Sequence, residues 1–140
     1  MTSPQLFAYA DLIISNAKSP TWGPVRVSAL ADTGANFLCI PDHIAVQLGI
    51  DEHGSGEFKE VTLADGSHRK VPYVGPLQLQ FKNRTCYTGA LVMGDEVLLG
   101  ITPMADMDLV VFAEERRVDI NPENPNLGAA KAKRMKVKSL

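Results

Sequence analysis

The chain has 140 residues, 45% hydrophobic and 21% charged, a size and balance that suit one compact domain with a real core. Its net charge of −2 argues against a dedicated nucleic-acid binder, and no run approaches the ~20 apolar residues of a membrane span. Two cysteines, Cys39 and Cys86, are too few for a disulfide framework and read as separate free thiols.

The first candidate element is LFAYADLII, a strand rather than a secretory signal because Asp11 interrupts the apolar run. A cytoplasmic protein is the expectation. KSPTWGP is a turn-rich connection. VRVSALA, residues 25–31, alternates and then turns apolar on both faces, as a strand does on entering a core. FLCI is a second short buried strand, and PDHIAVQLGI predicts a helix of about two turns, with Pro41 at its start and Gly49 at its end. Asp65-Gly66, with strand-like residues on both sides, is the strongest hairpin signal in the chain.

LQLQFK alternates, which turns Leu77, Leu79 and Phe81 inward, and TCYTGALVM pairs back on it. EVLLG is one more buried strand. TPMADMDLV predicts a helix with Thr102 as N-cap and Pro103 at the first helical position. VVFAEERRVDI predicts a closing hairpin that turns at residues 114–116. Strands outnumber helices, so the expected class is all-β, a small closed barrel with one or two short helices. The folded domain is expected over residues 1–120. Residues 121–140 read as a flexible basic tail: Lys131, Lys133, Arg134, Lys136 and Lys138 crowd its end. The rest of the chain keeps nine of the fourteen basic residues against all sixteen acidic ones, so any weak nucleic-acid contact would fall to the tail.

One residue is out of place in this pattern. In ALADTGANFLCIP, residues 29–41, Asp32 sits between two apolar strands, and burying a lone carboxylate is costly unless it is paired, hydrogen-bonded or protonated. Gly34 permits a tight turn with close backbone approach. A buried strand, a glycine turn and a second buried strand present a carboxylate on a short rigid loop, the geometry that proton-transfer chemistry needs.

ALADTGANFLCIP resembles the active-site loop of retropepsin-like aspartic proteases. VLLGITPMADMDLVV resembles that family's apolar-apolar-Gly strand running into a helix, and TLADGSHRKV stands where the family has its flap hairpin. The resemblance covers about residues 25–120 and implies a retropepsin fold. It also implies an aspartic endopeptidase that needs no metal or other cofactor. Such enzymes join two Asp-Thr-Gly loops at a twofold axis, and this chain holds a single one, so the implied state is a homodimer acting on peptide or protein substrates.

On this resemblance Asp32 is the catalytic carboxylate, Thr33 locks the two loops and Gly34 lets the backbone approach the substrate. Ala35 and Asn36 contact the substrate, Asn36 standing where retroviral members have aspartate. Ala64, Asp65, Gly66 and Ser67 form the flap tip, with fewer glycines than retroviral flaps. Leu98, Leu99 and Gly100 support the loop from behind.

Other readings of the residues are weaker. An aspartyl-phosphate site would want a lysine after the aspartate, together with membrane spans. His43, His53 and His68 are scattered, and Cys39 with His43 supplies two of the four ligands a structural zinc wants. Ser67-His68 lacks a nucleophile elbow, and Gly54–Gly56 lacks the lysine of a phosphate loop. The main alternative is a catalytically silent dimer of the same fold, acting as a peptide-binding or interaction module.

Overall fold

A computed structural model describes residues 7–51 and 56–126. In chain order the elements are β1 (Tyr9–Asn16), β2 (Val25–Ala31), β3 (Leu38–Ile40), α1 (Asp42–Gln47), β4 (Phe58–Thr62) and β5 (His68–Phe81). β6 (Arg84–Val92), β7 (Leu98–Leu99), α2 (Ile101–Asp106), β8 (Leu109–Phe112) and β9 (Arg117–Ile120) complete it. The strands follow one another as β4-β5-β6-β3-β7-β2-β1-β9-β8, and β1 pairs again with β5. That second pairing closes a barrel of six strands, β5, β6, β3, β7, β2 and β1. The β4 edge and the β8–β9 hairpin extend from it. The all-β expectation, with two short helices, holds.

Alternation builds the core. Ala10, Leu12 and Ile14 of β1 face inward together with Leu77, Leu79 and Phe81 of β5, as the LQLQFK pattern predicts, with Ile14 opposite Leu79 and Asn16 opposite Leu77. Each such leucine or isoleucine contributes about 1.5–3 kcal/mol by leaving water. Asn16 is buried among them with its polar atoms satisfied. Its Nδ2 donates to the Leu48 carbonyl (2.9 Å), and its Oδ1 accepts from the Lys18 amide (3.0 Å), which ties the end of α1 to β1. Both cysteines are free and buried.

Two elements differ from the sequence expectation. The strand after the Asp65-Gly66 turn and the LQLQFK strand are one 14-residue strand, β5, bent where its register against β6 shifts between Val74 and Leu77. Gly75 sits in that bulge at φ +144°, with Gly89 Cα 3.0 Å from where a Cβ would stand. Pro76, which has no N–H to give a ladder, is tolerated there because the ladder is already broken. α2 begins at Ile101 with Gly100 as N-cap, two residues ahead of the Thr102 cap read from the sequence. Its first amides have partners outside the helix, described below.

Beyond β9 the chain stays against the body. Asn121 and Asn124 Nδ2 donate to the Asp108 carboxylate (3.2 and 2.9 Å), and buried Arg84 donates to the Met107 carbonyl (3.0 Å) and to that of Asn124. The basic residues 131–138, like His53 and Gly54, lie outside the described residues.

Candidate active site

β2 delivers the chain to Asp32 and β3 takes it away from Phe37, and β7 lies between these two arms. Leu30 and Ala31 pair in parallel with Leu98 and Leu99, while Cys39 pairs antiparallel with Leu98. The loop 32–37 is therefore held from inside its own mouth. The Asp32 amide donates to the Leu99 carbonyl (2.9 Å), and the Ala35 amide donates to the Asp32 carbonyl (3.1 Å), closing the turn. The Gly34 amide donates to Asp32 Oδ1 (2.9 Å) and fixes the carboxylate. Among the described residues no hydrogen bond engages the second carboxylate oxygen, Oδ2.

α2 clamps the far side of the loop. The Ile101 amide donates to the Ala35 carbonyl (2.9 Å) and the Thr102 amide to the Asn36 carbonyl (3.1 Å). The first amides of a helix lack partners within it, and here the loop supplies two. The helix thus starts where its amides meet the loop, ahead of the threonine-proline signal. Gly100 makes the approach possible: a Cβ there would stand 2.4 Å from the Phe37 carbonyl oxygen and 2.7 Å from Asn36 C and Phe37 N.

Asp32 and Ala35 are half-buried in the chain, and Thr33, Gly34 and Asn36 are exposed. The carboxylate read from the sequence as buried stands at a rim, anchored through one oxygen. The three supporting residues divide. Leu99 is wholly enclosed in the barrel core with Leu38 and Ile40, and Gly100 lies against the loop backbone. Leu98 faces the other way, into a second cluster of Cys39, Val71 and Leu91 ringed by Phe37, Val61, Tyr73 and Met93.

That second cluster joins the loop to the β4–β5 hairpin, and the sequence reading missed it. The signal was present in FLCI, where alternation sends Leu38 and Ile40 to one side and Phe37 and Cys39 to the other. Phe37 and Tyr73 meet edge-to-face at 6.2 Å, and Lys59 Nζ stands 4.7 Å from the Tyr73 ring and 5.4 Å from the Phe37 ring. Burial pushes the Cys39 thiol pKa up, and the Asp32 charge adds to it.

The hairpin carries Ala64, Asp65, Gly66 and Ser67 at its tip, all exposed. Gly66 adopts φ +86°, a conformation that favours glycine. The Asp65 carboxylate accepts from the Ser67 hydroxyl (2.5 Å) and the Ser67 amide (2.9 Å), bonds that hold its pKa below the ordinary carboxylate value. The base of the hairpin packs on the wall beside Asp32. Among the described residues no hydrogen bond joins the tip to residues 32–36. The structure thus brings together Asp32, Thr33, Gly34, Ala35 and Asn36 with Leu98, Leu99 and Gly100, and links Ala64–Ser67 to them through the hairpin base alone.

No group of three or more His, Cys, Asp or Glu side chains is placed to hold a metal ion among the described residues. No helix among them is long and apolar enough to cross a membrane.

No family model matches the sequence, and no curated protein is similar to it by sequence. Among solved structures, the chain is similar to the retroviral protease-like domain of Ddi1 from Leishmania major. The identity is 12% over 86% of this chain and 91% of that one, with a TM-score of 0.54. It is also similar to a retropepsin-like aspartic protease from Rickettsia conorii, at 17% identity over 71% of this chain and 70% of that one, with a TM-score of 0.49. The fold is retropepsin-like.

Proposed function

Given a retropepsin-like fold, we propose that the protein is an aspartic endopeptidase active as a homodimer, each subunit supplying one Asp32 to a shared site. The observation that carries the reading is the Asp32 loop itself. It presents a carboxylate at a rim, holds Oδ1 with the Gly34 amide, and is clamped by Leu99 and α2. A rigidly held carboxylate is pre-positioned for proton transfer. Two of them, face to face across a twofold axis, share one proton because both cannot ionise at ease.

One carboxylate then takes a proton from a water, which attacks the scissile carbonyl, while the protonated partner donates to the carbonyl oxygen. Collapse of the tetrahedral species breaks the C–N bond as the leaving amine takes up a proton. In this reading the Thr33 hydroxyl bonds across the axis, Ala35 and Asn36 meet the substrate backbone, and Ala64–Ser67 close over it and exclude water.

The test compares wild type with Asp32→Asn on a peptide library between roughly pH 4 and 7, the range suited to a shared-proton pair. Mass is measured in parallel. Cleavage by wild type alone is expected, with both proteins at about twice the 15.2 kDa chain mass. Equal cleavage by both proteins would refute the assignment of Asp32. A dimeric wild type that cleaves nothing would favour the interaction module.

A further inference from the structure

The two faces of the β4–β5 hairpin carry different charges. Residues paired across a ladder share a face, and faces alternate along each strand. The register Lys59↔Val71 and Val61↔Arg69 therefore places Lys59, Val61, Arg69, Val71 and Tyr73 on one face. Phe58, Glu60, Thr62, His68 and Lys70 take the other. Val61, Val71 and Tyr73 pack with Phe37, Cys39 and Leu98, so the first face is the one turned toward the wall beside Asp32. Among the paired residues it carries two cations and no acid, and at its base Glu57, whose carbonyl accepts from the Tyr73 amide (3.0 Å), stands on the same side. Glu60, the one acid within the paired residues of the hairpin, is on the outer face, 3.7 Å from His68 Nδ1.

Lys59 is also held in place. Its ammonium stands over the Tyr73 and Phe37 rings, a contact worth about 0.5–1 kcal/mol at an exposed site. The aromatic faces fix the charge but accept none of its three N–H bonds through an oxygen. Among the described residues neither Lys59 nor Arg69 has a carboxylate partner. A positive roof over a wall that begins five residues from Asp32 suits a negatively charged side chain entering between the two.

We infer that the site selects peptides with an aspartate or glutamate side chain where the peptide passes beneath the hairpin, with Lys59 and Arg69 as specificity-determining residues. The inference rests on the endopeptidase reading for its substrate and is testable apart from it. A carboxylate there gains charge-assisted hydrogen bonds to both cations. A lysine or arginine side chain meets like charge.

Binding is read by fluorescence anisotropy on the full chain carrying Asp32→Asn, using labelled decapeptides in which each position in turn is Glu, Gln or Lys. At one or more positions Glu peptides are expected to bind about two- to fivefold more tightly than their Gln counterparts, as partly exposed ion pairs do. The difference should fade in high salt. Adding Lys59→Met and Arg69→Met, which remove both charges and keep an apolar stem at each position, brings the Glu peptide down to the Gln level. Lys59→Glu with Arg69→Glu shifts the preference to Lys peptides.

Equal binding of Glu and Gln peptides, or a preference that survives both double variants, would overturn the inference. Cleavage by the Asp32-containing chain is measured alongside. Cleavage without acid preference removes this inference and keeps the endopeptidase. Acid-selective binding without cleavage does the reverse.

Discussion

Replacing Gly100 with alanine isolates the junction on which the whole site depends. Gly100 has φ −82° and ψ 179°, a backbone any residue adopts, so the penalty is one of space alone. The added methyl would stand 2.4 Å from the Phe37 carbonyl oxygen, against about 3.4 Å for an ordinary contact, and the atoms it meets are all backbone. The loop and the start of α2 must then part by about 1 Å, taking the 2.9 Å Ile101–Ala35 bond out of range and stretching the Thr102–Asn36 bond. Overpacking costs about 1–3 kcal/mol and each lost hydrogen bond about 1 kcal/mol, so about 2–5 kcal/mol in total. Thermal unfolding should show a fall in Tm on the order of 10 °C, and a 1 Å shift of the Asp32 loop should cost any cleavage about 100-fold. Gly23→Ala is the control: it has open space and should leave stability within about 0.5 kcal/mol. If G100A unfolds within about 1 kcal/mol of wild type, the junction is compliant and the argument for a rigid loop fails.

Arg84→Ala should cost about 3 kcal/mol in urea denaturation, because it strips the donors from the Met107 and Asn124 carbonyls and leaves a buried cavity. The same variant should make residues 121–126 readily cleaved by an added protease. Asp119 is held below its ordinary pKa by the hydrogen bond from Lys82 and then by the Ile120 amide. Its stabilising effect is therefore complete above its unfolded value of 3.8 and is lost as pH falls below that through the lowered folded value. Asp119→Asn should flatten the acid limb of a stability–pH curve, and a parallel curve would contradict the pairing. Burial, then Asp106, pushes the Cys86 thiol up to about 11, and Cys39 is raised as well. Neither thiol should react with a disulfide reagent at pH 8 in the native protein, and both should react on unfolding.

The barrel was legible because its signals are local. Leu77, Leu79 and Phe81 alternate over a clean period of two, VRVSALA enters the core as its composition says, and Asp65-Gly66 marks its turn. The Asp-Thr-Gly loop was legible for a different reason: a carboxylate among apolar strands demands an explanation. What failed depended on tertiary partners. Thr102 and Pro103 carry good helix-start chemistry, yet the helix begins at Ile101, capped by Gly100, because the Ala35 and Asn36 carbonyls accept its first amides. Leu98 and Leu99 look alike in sequence and serve opposite sides of a two-residue strand, a division visible once β7 is placed between β2 and β3.

The charge on the hairpin was hidden most deeply. Lys59 and Glu60 are neighbours in sequence, as are Arg69 and Lys70, so composition alone gives the hairpin no polarity. Register creates it. A slip of β4 by one residue against β5 would send Lys59 outward and turn Glu60 inward beside Arg69, on the side of the wall near Asp32. The five residues from Leu63 to Ser67 prevent that slip: the Leu63 amide donates to the Ser67 carbonyl (2.8 Å), Gly66 donates back to Leu63 (2.9 Å), and Asp65 binds Ser67 twice. The sequence reading gives Asp65 to the substrate, and in the structure its Oδ1 accepts from Ser67 within its own turn. There its physical effect is to hold the pairing that decides which charges face the site.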